Sequence, residues 1–516
     1  MSSDEGQTPC HVHSIFETFD DSPQQELIRM CLHQFCDVER LKTVVTDQPD
    51  STVDQMEATL PRCGEAIADL LSRLAKSISD QVGDYELGIH RLDDLIALAT
   101  EKFYAFPFKD VPACWRDLFR EASLLKFSAL AVQGIWGISK DSSRKLHKAP
   151  PLSGITIDEM VKTIDMALIM AGPPTSLDTR DTISAVLQLL EKCNSNLASG
   201  NDEQRSSKRR RLSIVFQNVS NGFPCSSAFA PPVSNPISRT AAPTFDAFEK
   251  HMNKPKDSNI GPEPIIVSGA LESWPARAER PWNSPKYLLS KTIGGRRLVP
   301  IEIGRSYVDD GWGQKVIPFK EFMNHYILPE SEESNFASGY LAQHDLFAQI
   351  PSLRQDIAIP DYCYTSAPPP HFSSPLAKKH SEVTQLEEPI LNAWFGPPGT
   401  ISPLHTDPYH NILAQVVGRK YVRLYAPSES ERLYPRGTED GGVDMSNTSA
   451  IDVGVLAGWD GTELEREKAQ SRFPRFNEAE FVDCVLEEGE CLYIPVGWWH
   501  YVRSLSVSFS VSFWFN

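Results

Sequence analysis

The chain lacks long apolar runs and closely paired cysteines. No apolar stretch approaches the roughly 18 residues that a membrane-spanning helix needs, so we expect no membrane span. The ten cysteines are irregularly spaced, without a C-x-x-C pair. This pattern argues against a disulfide framework and favours reduced thiols in a cytosolic or nuclear protein. The opening residues, M-S-S-D-E-G-Q-T, lack the basic-then-apolar order of a secretory signal.

Positive charge is also scarce. The sequence has 50 Lys and Arg against 68 Asp and Glu, a formal net charge of −18. Such a balance argues against binding duplex DNA over the whole surface and suits a partner that is itself basic. We therefore expect a basic protein or peptide substrate (histone, ribosomal or chromatin-associated) and no strong direct nucleic-acid binding.

The length of 516 residues predicts more than one domain. We expect a flexible N-terminus over residues 1–21. Apolar residues recur at helical spacing over residues 22–193, which predicts an all-helical domain of six or seven helices. Examples are Ile67, Leu70, Leu71, Leu74 and Ile78 on one predicted helix, and Trp115, Leu118, Phe119, Ala122 and Leu125 on another. No catalytic cluster occurs in this region, so a scaffold or docking role is expected.

The composition changes at about Asn194. Residues 194–242 are rich in Ser, Pro and Ala and cannot bury enough apolar surface to offset the entropy of ordering, which predicts a disordered linker. This segment contains the basic cluster Lys208, Arg209, Arg210 and Arg211. Such a cluster is typical of a nuclear import signal or a nucleic-acid contact, the alternative being a solvated charge run. We expect a nuclear protein, or a nuclear and cytoplasmic one.

Residues 243–516 contain many short β-rich segments bounded by Gly, Pro or polar turns, which predicts a closed or double-sheet β architecture. In the segment S-V-S-F-S-V-S-F the residues Ser506, Ser508, Ser510 and Ser512 share one face. A face of small hydroxyl residues leaves room inside a barrel. Residues 366–388 and 437–470 interrupt the pattern, and loops of this length are usually functional rims or disordered insertions.

The stretch from Gly399 to Tyr425 carries the residues with the strongest chemical signal. In an extended segment His405 and Asp407 project from the same side. With His500 they would form the set of two histidines and one carboxylate used by non-haem Fe(II) oxygenases. Lys420, after a turn at Gly418-Arg419, is placed to hold an anionic cosubstrate. Each residue alone has an ordinary explanation, but their combination favours a metal site.

Several long motifs resemble the JmjC (Jumonji C) family of Fe(II)- and 2-oxoglutarate-dependent oxygenases. They are G-Y-L-A-Q-H-D-L-F, D-I-A-I-P-D-Y-C, N-A-W-F-G-P-P-G-T-I-S-P-L-H-T-D-P, G-R-K-Y-V-R-L-Y and the closing W-H-Y-V-R-S-L-S-V-S-F-S-V-S-F-W. The resemblance covers about Pro264 to Asn516. It implies an α+β multidomain chain whose residues 243–516 form a JmjC catalytic domain, a cupin-type double-stranded β-helix with flanking helices.

The resemblance also implies roles for individual residues. The Fe(II) ligands would be His405, Asp407 and His500. The distal carboxylate of 2-oxoglutarate would be bound by Lys420, with hydrogen bonds from Tyr340, Ser402 and Asn411. The substrate-side positions would be Glu302, Trp312, Gln343, Trp394 and Trp514. The chain departs from the family pattern at Pro408-Tyr409-His410, where Pro-Gln-Gln is expected, and this difference bears on substrate identity. We expect His410 to be a rim residue and not a ligand.

These features predict a protein oxygenase that uses Fe(II), 2-oxoglutarate and O2. The resemblance favours arginyl hydroxylation, with histone lysine demethylation as the alternative. A cupin barrel used only to bind basic peptides, and a zinc-dependent cupin isomerase, are the alternatives outside the oxygenase class.

Overall fold

The computed structural model describes residues 22–42, 59–106, 110–136, 152–199, 222–224, 229–305, 311–328, 338–439 and 442–516. The chain divides into two compact units. The first, called here the helical unit, comprises Met1–Ser213 and Arg296–Leu298, and the second, the β unit, comprises Ile214–Gly295 and Val299–Asn516. The predicted flexible N-terminus and the basic cluster Lys208–Arg211 lie outside the described residues.

The described part of the helical unit is built from seven α-helices: α1 Pro23–Met30, α2 Val38–Lys42, α3 Glu65–Ser79, α4 Tyr85–Tyr104, α5 Ala113–Trp136, α6 Gly154–Ala171 and α7 Leu177–Ser199. Short π and 3-10 turns lie at Cys31–Phe35 and Leu60–Cys63. Two helices begin at good N-caps, since Asp84 accepts from the backbone N–H groups of Glu86 and Leu87 in α4, and Ser153 accepts from that of Thr156 in α6. None of the described helices is both long and apolar enough to cross a bilayer.

The predicted helical domain is confirmed, and its apolar faces are buried. Leu71 and Ile78 of α3 pack with Leu118 and Ala122 of α5 in one core. Leu70 is an exception to the predicted face, since it is 36% exposed beside the buried Leu71. Helix α7 runs past the predicted boundary at residue 193 as far as Ser199.

The described part of the β unit, together with Leu298 at the start of β3, forms two sheets. Its strands are β1 Arg239–Ala241, β2 Ile265–Ser268, β3 Leu298–Ile303, β4 Gly313–Pro318, β5 Gly339–His344, β6 Ile390–Gly396, β7 Ile401–His405, β8 His410–Val417, β9 Lys420–Tyr425, β10 Phe481–Leu486, β11 Glu490–Ile494, β12 Trp499–Ser504 and β13 Ser508–Phe515. The large sheet has the order β1-β2-β11-β8-β13-β6-β5-β3-β4 and the small one β10-β9-β12-β7. Side chains from both sheets share one apolar cluster, so the sheets pack face to face, which confirms the predicted cupin-type architecture.

Helices flank these sheets, as predicted. The α-helices of the described β unit are Phe245–Asn253, Pro285–Lys291, Phe319–Phe322, Leu346–Gln349, Pro351–Arg354, Ala377–Ser381, Val453–Leu456 and Glu463–Arg472. Three of them lie in the two long stretches that interrupt the β pattern. The described residues of those stretches therefore include regular structure, and the last helix begins at a capping box made by Thr462 and Glu465.

Strand β13 shows how sequence alternation shapes the interior. Phe509 and Phe513 pack in the large apolar core, whereas Ser508 and Ser510 face the other way and hydrogen bond with the buried Gln415. The predicted hydroxyl face is thus real. It leaves space on the inner side of the sheet.

The β unit begins earlier in the chain than the composition suggests. Strand β1 lies within the predicted linker, 194–242, and pairs in parallel with β2. Before it, the buried Asp483 carboxylate accepts hydrogen bonds from the backbone N–H groups of Ser234 and Asn235. Backbone hydrogen bonds also join Asn235 and Ile237 to Asp483. The segment around Ser234 is therefore fixed to strand β10 by contacts that composition does not reveal.

Candidate metal centre

The three predicted ligands meet at one end of the small sheet. His405 is the last residue of β7 and lies directly opposite His500 of β12 in the antiparallel register. Asp407 follows two residues after the end of β7. Strand pairing therefore brings together two histidines that are far apart in sequence, and the alternation of the chain adds the carboxylate.

The distances are short enough for one ion. Nε2 of His500 is 3.5 Å from one Asp407 oxygen, and Nε2 of His405 is 3.8 Å from the other. One ligand atom from each of the three residues lies within 4.8 Å of the others, and no other such group of His, Cys, Asp or Glu occurs among the described residues. His405 and Asp407 keep 13% and 14% of their side-chain surface accessible, so the site has an open side.

Both imidazole rings are oriented by backbone carbonyls. The Nδ1 atom of His405 is 2.7 Å from the carbonyl oxygen of Pro403, and Nδ1 of His500 is 3.1 Å from that of Trp498. A carbonyl only accepts, so each Nδ1 carries the proton and each Nε2 keeps its lone pair. Two lone pairs and a carboxylate then converge without a hydrogen between them, an arrangement that a cation stabilises.

The protonation states also suit metal binding. Burial, followed by the neighbouring His500, lowers the pKa of His405 to about 4. Burial acts to raise the pKa of Asp407, but its interactions with His500 and His405 outweigh burial and lower it. A neutral imidazole and an ionised carboxylate are the forms that bind metals.

The three ligands open into a cavity of about 360 Å³, counted to its open mouth. It is lined by Tyr340, Trp394, Ser402, His405, Asp407, Asn411, Leu413, Lys420, Ile494, His500, Val502 and Ser512. All four residues predicted to bind 2-oxoglutarate are in this set. Leu413, Ile494 and Val502 were not predicted as site residues, although their places on strands β8, β11 and β12 follow from inward alternation.

Lys420 is the buried cation of this cavity. It is only 1% exposed, and its Nζ donates to the Tyr340 hydroxyl at 3.1 Å. Burial lowers the pKa of Lys420 to about 7. The side-chain oxygen of Asn411 is also buried without a protein partner. The buried amino group of Lys420 is a hydrogen-bond donor that carries positive charge when protonated, and it fits an anion such as a dicarboxylate; the Asn411 oxygen, an acceptor, does not contribute to binding that charge.

Of the five predicted substrate-side residues, only Trp394 lines the cavity. Its Nε1 donates to Ser512 at 2.9 Å. Glu302 lies opposite Tyr340 in the β3–β5 pairing. Burial raises the pKa of Glu302, an effect reduced by a hydrogen bond from Trp312, which is 37% exposed.

The last two predicted substrate-side residues, Gln343 and Trp514, are both accessible to solvent. Gln343 is exposed, with a φ of 47°. Trp514 is partly exposed, and its ring stacks on Tyr409 with centroids 5.8 Å apart. Neither residue, nor Glu302 or Trp312, lines the cavity itself.

The prediction that His410 is a rim residue is wrong. It is 1% exposed, and its two ring nitrogens are 2.8 Å from the Tyr493 hydroxyl and 2.9 Å from the Pro368 carbonyl oxygen. Its ring also stacks on Tyr493. His410 is the first residue of strand β8, and the next residue, Asn411, lines the cavity. Because side chains alternate along a strand, His410 points into the core on the opposite side.

Comparisons with known proteins agree with this geometry. A family model described as a cupin-like domain matches residues 259–516. The chain is 33% identical over 479 residues to lysine-specific demethylase 8 of Danio rerio, covering 92% of this chain and 97% of that protein. It is 32% identical over 431 residues to lysine-specific demethylase JMJ30 of Arabidopsis thaliana, covering 81% and 84%. It is 36% identical over 289 residues to Jumonji C domain-containing protein 5 of Drosophila melanogaster, covering 55% and 63%.

The match to lysine-specific demethylase 8 of Danio rerio covers 92% of the chain and so extends beyond the β unit. It confirms the predicted family and enzyme class, and members of this family use Fe(II) and 2-oxoglutarate. The chain belongs to the JmjC family of 2-oxoglutarate-dependent oxygenases.

Proposed function

We propose that His405, Asp407 and His500 hold Fe(II) and that Lys420 binds the distal carboxylate of 2-oxoglutarate. The convergence of three ligand atoms within 4.8 Å supports the first assignment. The burial of Lys420 in the same cavity supports the second. Tyr340, Ser402 and Asn411 complete the cosubstrate site with hydrogen bonds.

When bound, Fe(II) with 2-oxoglutarate and O2 supplies the oxidation, in which 2-oxoglutarate becomes succinate and CO2 and one oxygen atom enters a substrate C–H bond. The chain's own residues provide position and environment. The carbonyls of Pro403 and Trp498 fix the two imidazoles. Leu413, Ile494 and Val502 line the cavity with apolar surface and limit water near the reacting carbon.

The substrate is a basic protein or peptide, and the reaction is arginyl hydroxylation. The observation that carries this proposal is the pairing of Glu302 with Trp312 beside Tyr340. A carboxylate accepts two hydrogen bonds from a guanidinium, and an indole stacks on its flat face. Lys lacks both the planar fork and the flat face, so this pair suits arginine better.

Histone lysine demethylation is the second candidate, because two relatives that cover most of this chain are named lysine-specific demethylases. In that reaction the N-methyl group is hydroxylated and leaves as formaldehyde. Glu302 would then contact a methylated ammonium instead of a guanidinium.

Mass spectrometry of basic peptides incubated with the full chain, Fe(II), 2-oxoglutarate and O2 separates the two reactions. We expect an unmethylated arginine peptide to gain one oxygen atom. Loss of a methyl group from a methyl-lysine peptide, with formaldehyde release and no oxygen gain on arginine, would instead establish demethylation.

The role of Glu302 has its own test. Glu302→Gln keeps the shape and removes the charge, so kcat/KM for an arginine peptide should fall about tenfold or more, as expected for loss of a charged hydrogen bond. Glu279→Gln, at an exposed site of the same unit, is the matched control. Equal kcat/KM in both variants would remove Glu302 from the substrate site.

We also propose that the enzyme acts in the nucleus. The support is the basic cluster Lys208–Arg211 in a chain of net charge −18. Replacing all four residues by Ala should abolish nuclear enrichment of a fluorescent fusion, and an unchanged distribution would contradict the assignment.

A further inference from the structure

The wall of the cavity mouth next to Trp514 is built from features that the oxidation itself does not use. Ser512 lines the cavity, and Trp514 lies two residues further along the same face of β13, about 7 Å along the strand and opposite the cavity-lining Asn411 of β8. Its ring stacks on Tyr409. We call Tyr409 and Trp514 the aromatic wall.

Two buried N–H donors on this part of the sheet have no protein acceptor. Asn392 is 6% exposed, and its Nδ2 lacks a partner, as does Nε1 of Trp514. Asn392 lies opposite Ser512 in the β6–β13 pairing, so both donors belong to the inward face. Unsatisfied buried donors are costly. A ligand with carbonyl oxygens, such as a peptide backbone, would satisfy them.

The edge of the aromatic wall is acidic. The chain before β6 is fixed at both ends to the end of β13: Leu386 N–H donates to the Asn516 side chain at 2.9 Å, and Ile390 pairs with Trp514. Glu387 and Glu388 lie between these two anchors and are exposed. Both residues therefore lie in the short segment that leads to Ile390, the strand partner of Trp514.

The exposed ring of Tyr364 lies within electrostatic reach of Glu388. Glu388 acts electrostatically on the exposed Tyr364 and raises its pKa, second to burial. Arg354, a cation that also acts on Tyr364, donates to the Ile357 carbonyl at 3.0 Å. Aromatic faces beside free carboxylates bind cations well.

We propose that the aromatic wall with Glu387 and Glu388 binds a second basic residue of the substrate, two or three residues from the target. This spacing takes the target residue to lie level with Ser512, one 7 Å step along β13 from Trp514, because an extended peptide advances about 3.3 Å per residue. The N–H groups of the Asn392 amide and the Trp514 indole would donate hydrogen bonds to peptide carbonyl oxygens. The inference rests on the proposed action on basic peptides and specifies which of them bind.

Peptide binding to the full chain tests this inference without turnover. Each fluorescent peptide has a target arginine. At a second position, two or three residues before or after the target, it has either another arginine or an alanine. Anisotropy is measured with Fe(II) and 2-oxoglutarate under nitrogen. We expect the best two-arginine peptide to bind about fivefold more tightly than its one-arginine partner, in line with one cation–π contact.

Variants locate the effect. Glu387→Gln with Glu388→Gln, and separately Tyr409→Leu, should remove the preference for two arginines. Glu279→Gln with Glu467→Gln makes the same charge change at exposed sites elsewhere and should retain it. Equal affinity of both peptides for the wild type, or a preference that survives in the Glu387/Glu388 variant, overturns the inference.

Oxidation of the same peptides in air separates this inference from the proposed function. A preference for two arginines without oxygen gain by any peptide would contradict the arginyl hydroxylase alone. Oxygen gain without the preference would contradict the second basic site alone.

Discussion

Two histidines that are only five residues apart lie in different surroundings. His405 has one nitrogen on a carbonyl and the other facing Asp407, whereas both nitrogens of His410 are hydrogen bonded within the core. A metal ligand needs a free lone pair, and a core histidine does not have one. Residue type and proximity in sequence therefore do not distinguish them, but hydrogen-bond partners do.

This difference gives a paired prediction. His405→Ala should weaken Fe(II) binding by about 100-fold or more, since even loss of a supporting contact costs 10- to 100-fold. His410→Ala should leave Fe(II) affinity nearly unchanged and lower the free energy of unfolding by about 2–4 kcal/mol through an unfilled, unsatisfied core site. Metal titration and urea denaturation of both variants measure these effects. Loss of Fe(II) affinity in His410→Ala would show that the assignment of the ligands is incomplete.

The buried ammonium of Lys420 predicts a dependence of stability on pH. Its pKa is lowered to about 7 by burial, whereas an unfolded lysine titrates near 10.4. Between these values the unfolded chain binds more protons than the folded chain, so Lys420 makes stability rise with pH. This stability is fully present above the unfolded pKa and is lost as pH falls to about 7.

The comparison with Lys420→Met isolates this effect. Between about pH 7 and pH 10 the free energy of unfolding of the wild type minus that of the variant should rise by up to about 1.4 kcal/mol per pH unit. Adding 2-oxoglutarate should flatten the slope, because its carboxylate favours the charged lysine. Parallel pH profiles without 2-oxoglutarate would mean that Lys420 keeps an ordinary pKa.

At the scale of elements, the turn before β9 determines where Lys420 enters the cavity. Gly418 has a φ of 71°, and a side-chain carbon there would collide with the carbonyl oxygen of Val507. Gly418→Ala should therefore lower the free energy of unfolding by about 2 kcal/mol or more. It should also weaken 2-oxoglutarate binding.

Gly437 provides the matched control. An added carbon there meets no heavy atom within 4 Å, so Gly437→Ala should change the free energy of unfolding by less than about 0.5 kcal/mol. Urea denaturation of the two variants compares them directly. Equal stability would mean that the close contact at Gly418 relaxes without cost.

Most of the strands could be predicted from local sequence, because short β-branched and aromatic runs end at turns. The β-rich segments Phe481–Leu486 and Lys420–Tyr425, for example, are strands β10 and β9. The motif spacing also predicted which side chains meet. Asp407 joins His405 although it lies just past the end of β7.

The errors have a common physical cause, which is that long-range contacts decide them. β1 depends on pairing with β2 and on the carboxylate of Asp483, neither of which is local. The core position of His410 depends on Tyr493, far away in sequence. Leu70 has helical spacing and yet is exposed, because burial depends on what packs against the helix.

For the whole molecule, the net charge of −18 favours a positively charged substrate through long-range attraction. Raising the salt concentration from about 0.05 to about 0.2 M shortens the screening length and should raise KM for a basic peptide several-fold, with little change in kcat. Steady-state kinetics at the two salt concentrations measure this. A KM that is independent of salt would exclude a contribution of overall charge to substrate capture.

We propose above that His405, Asp407 and His500 form one Fe(II) site in a 2-oxoglutarate oxygenase. The most direct measurement is succinate formation by the full chain with Fe(II), 2-oxoglutarate, O2 and a basic peptide, for the wild type and for Asp407→Ala. We expect succinate from the wild type and a fall of about 100-fold or more in the variant, since one ligand of the ion is lost. Equal succinate formation by both proteins would contradict the account.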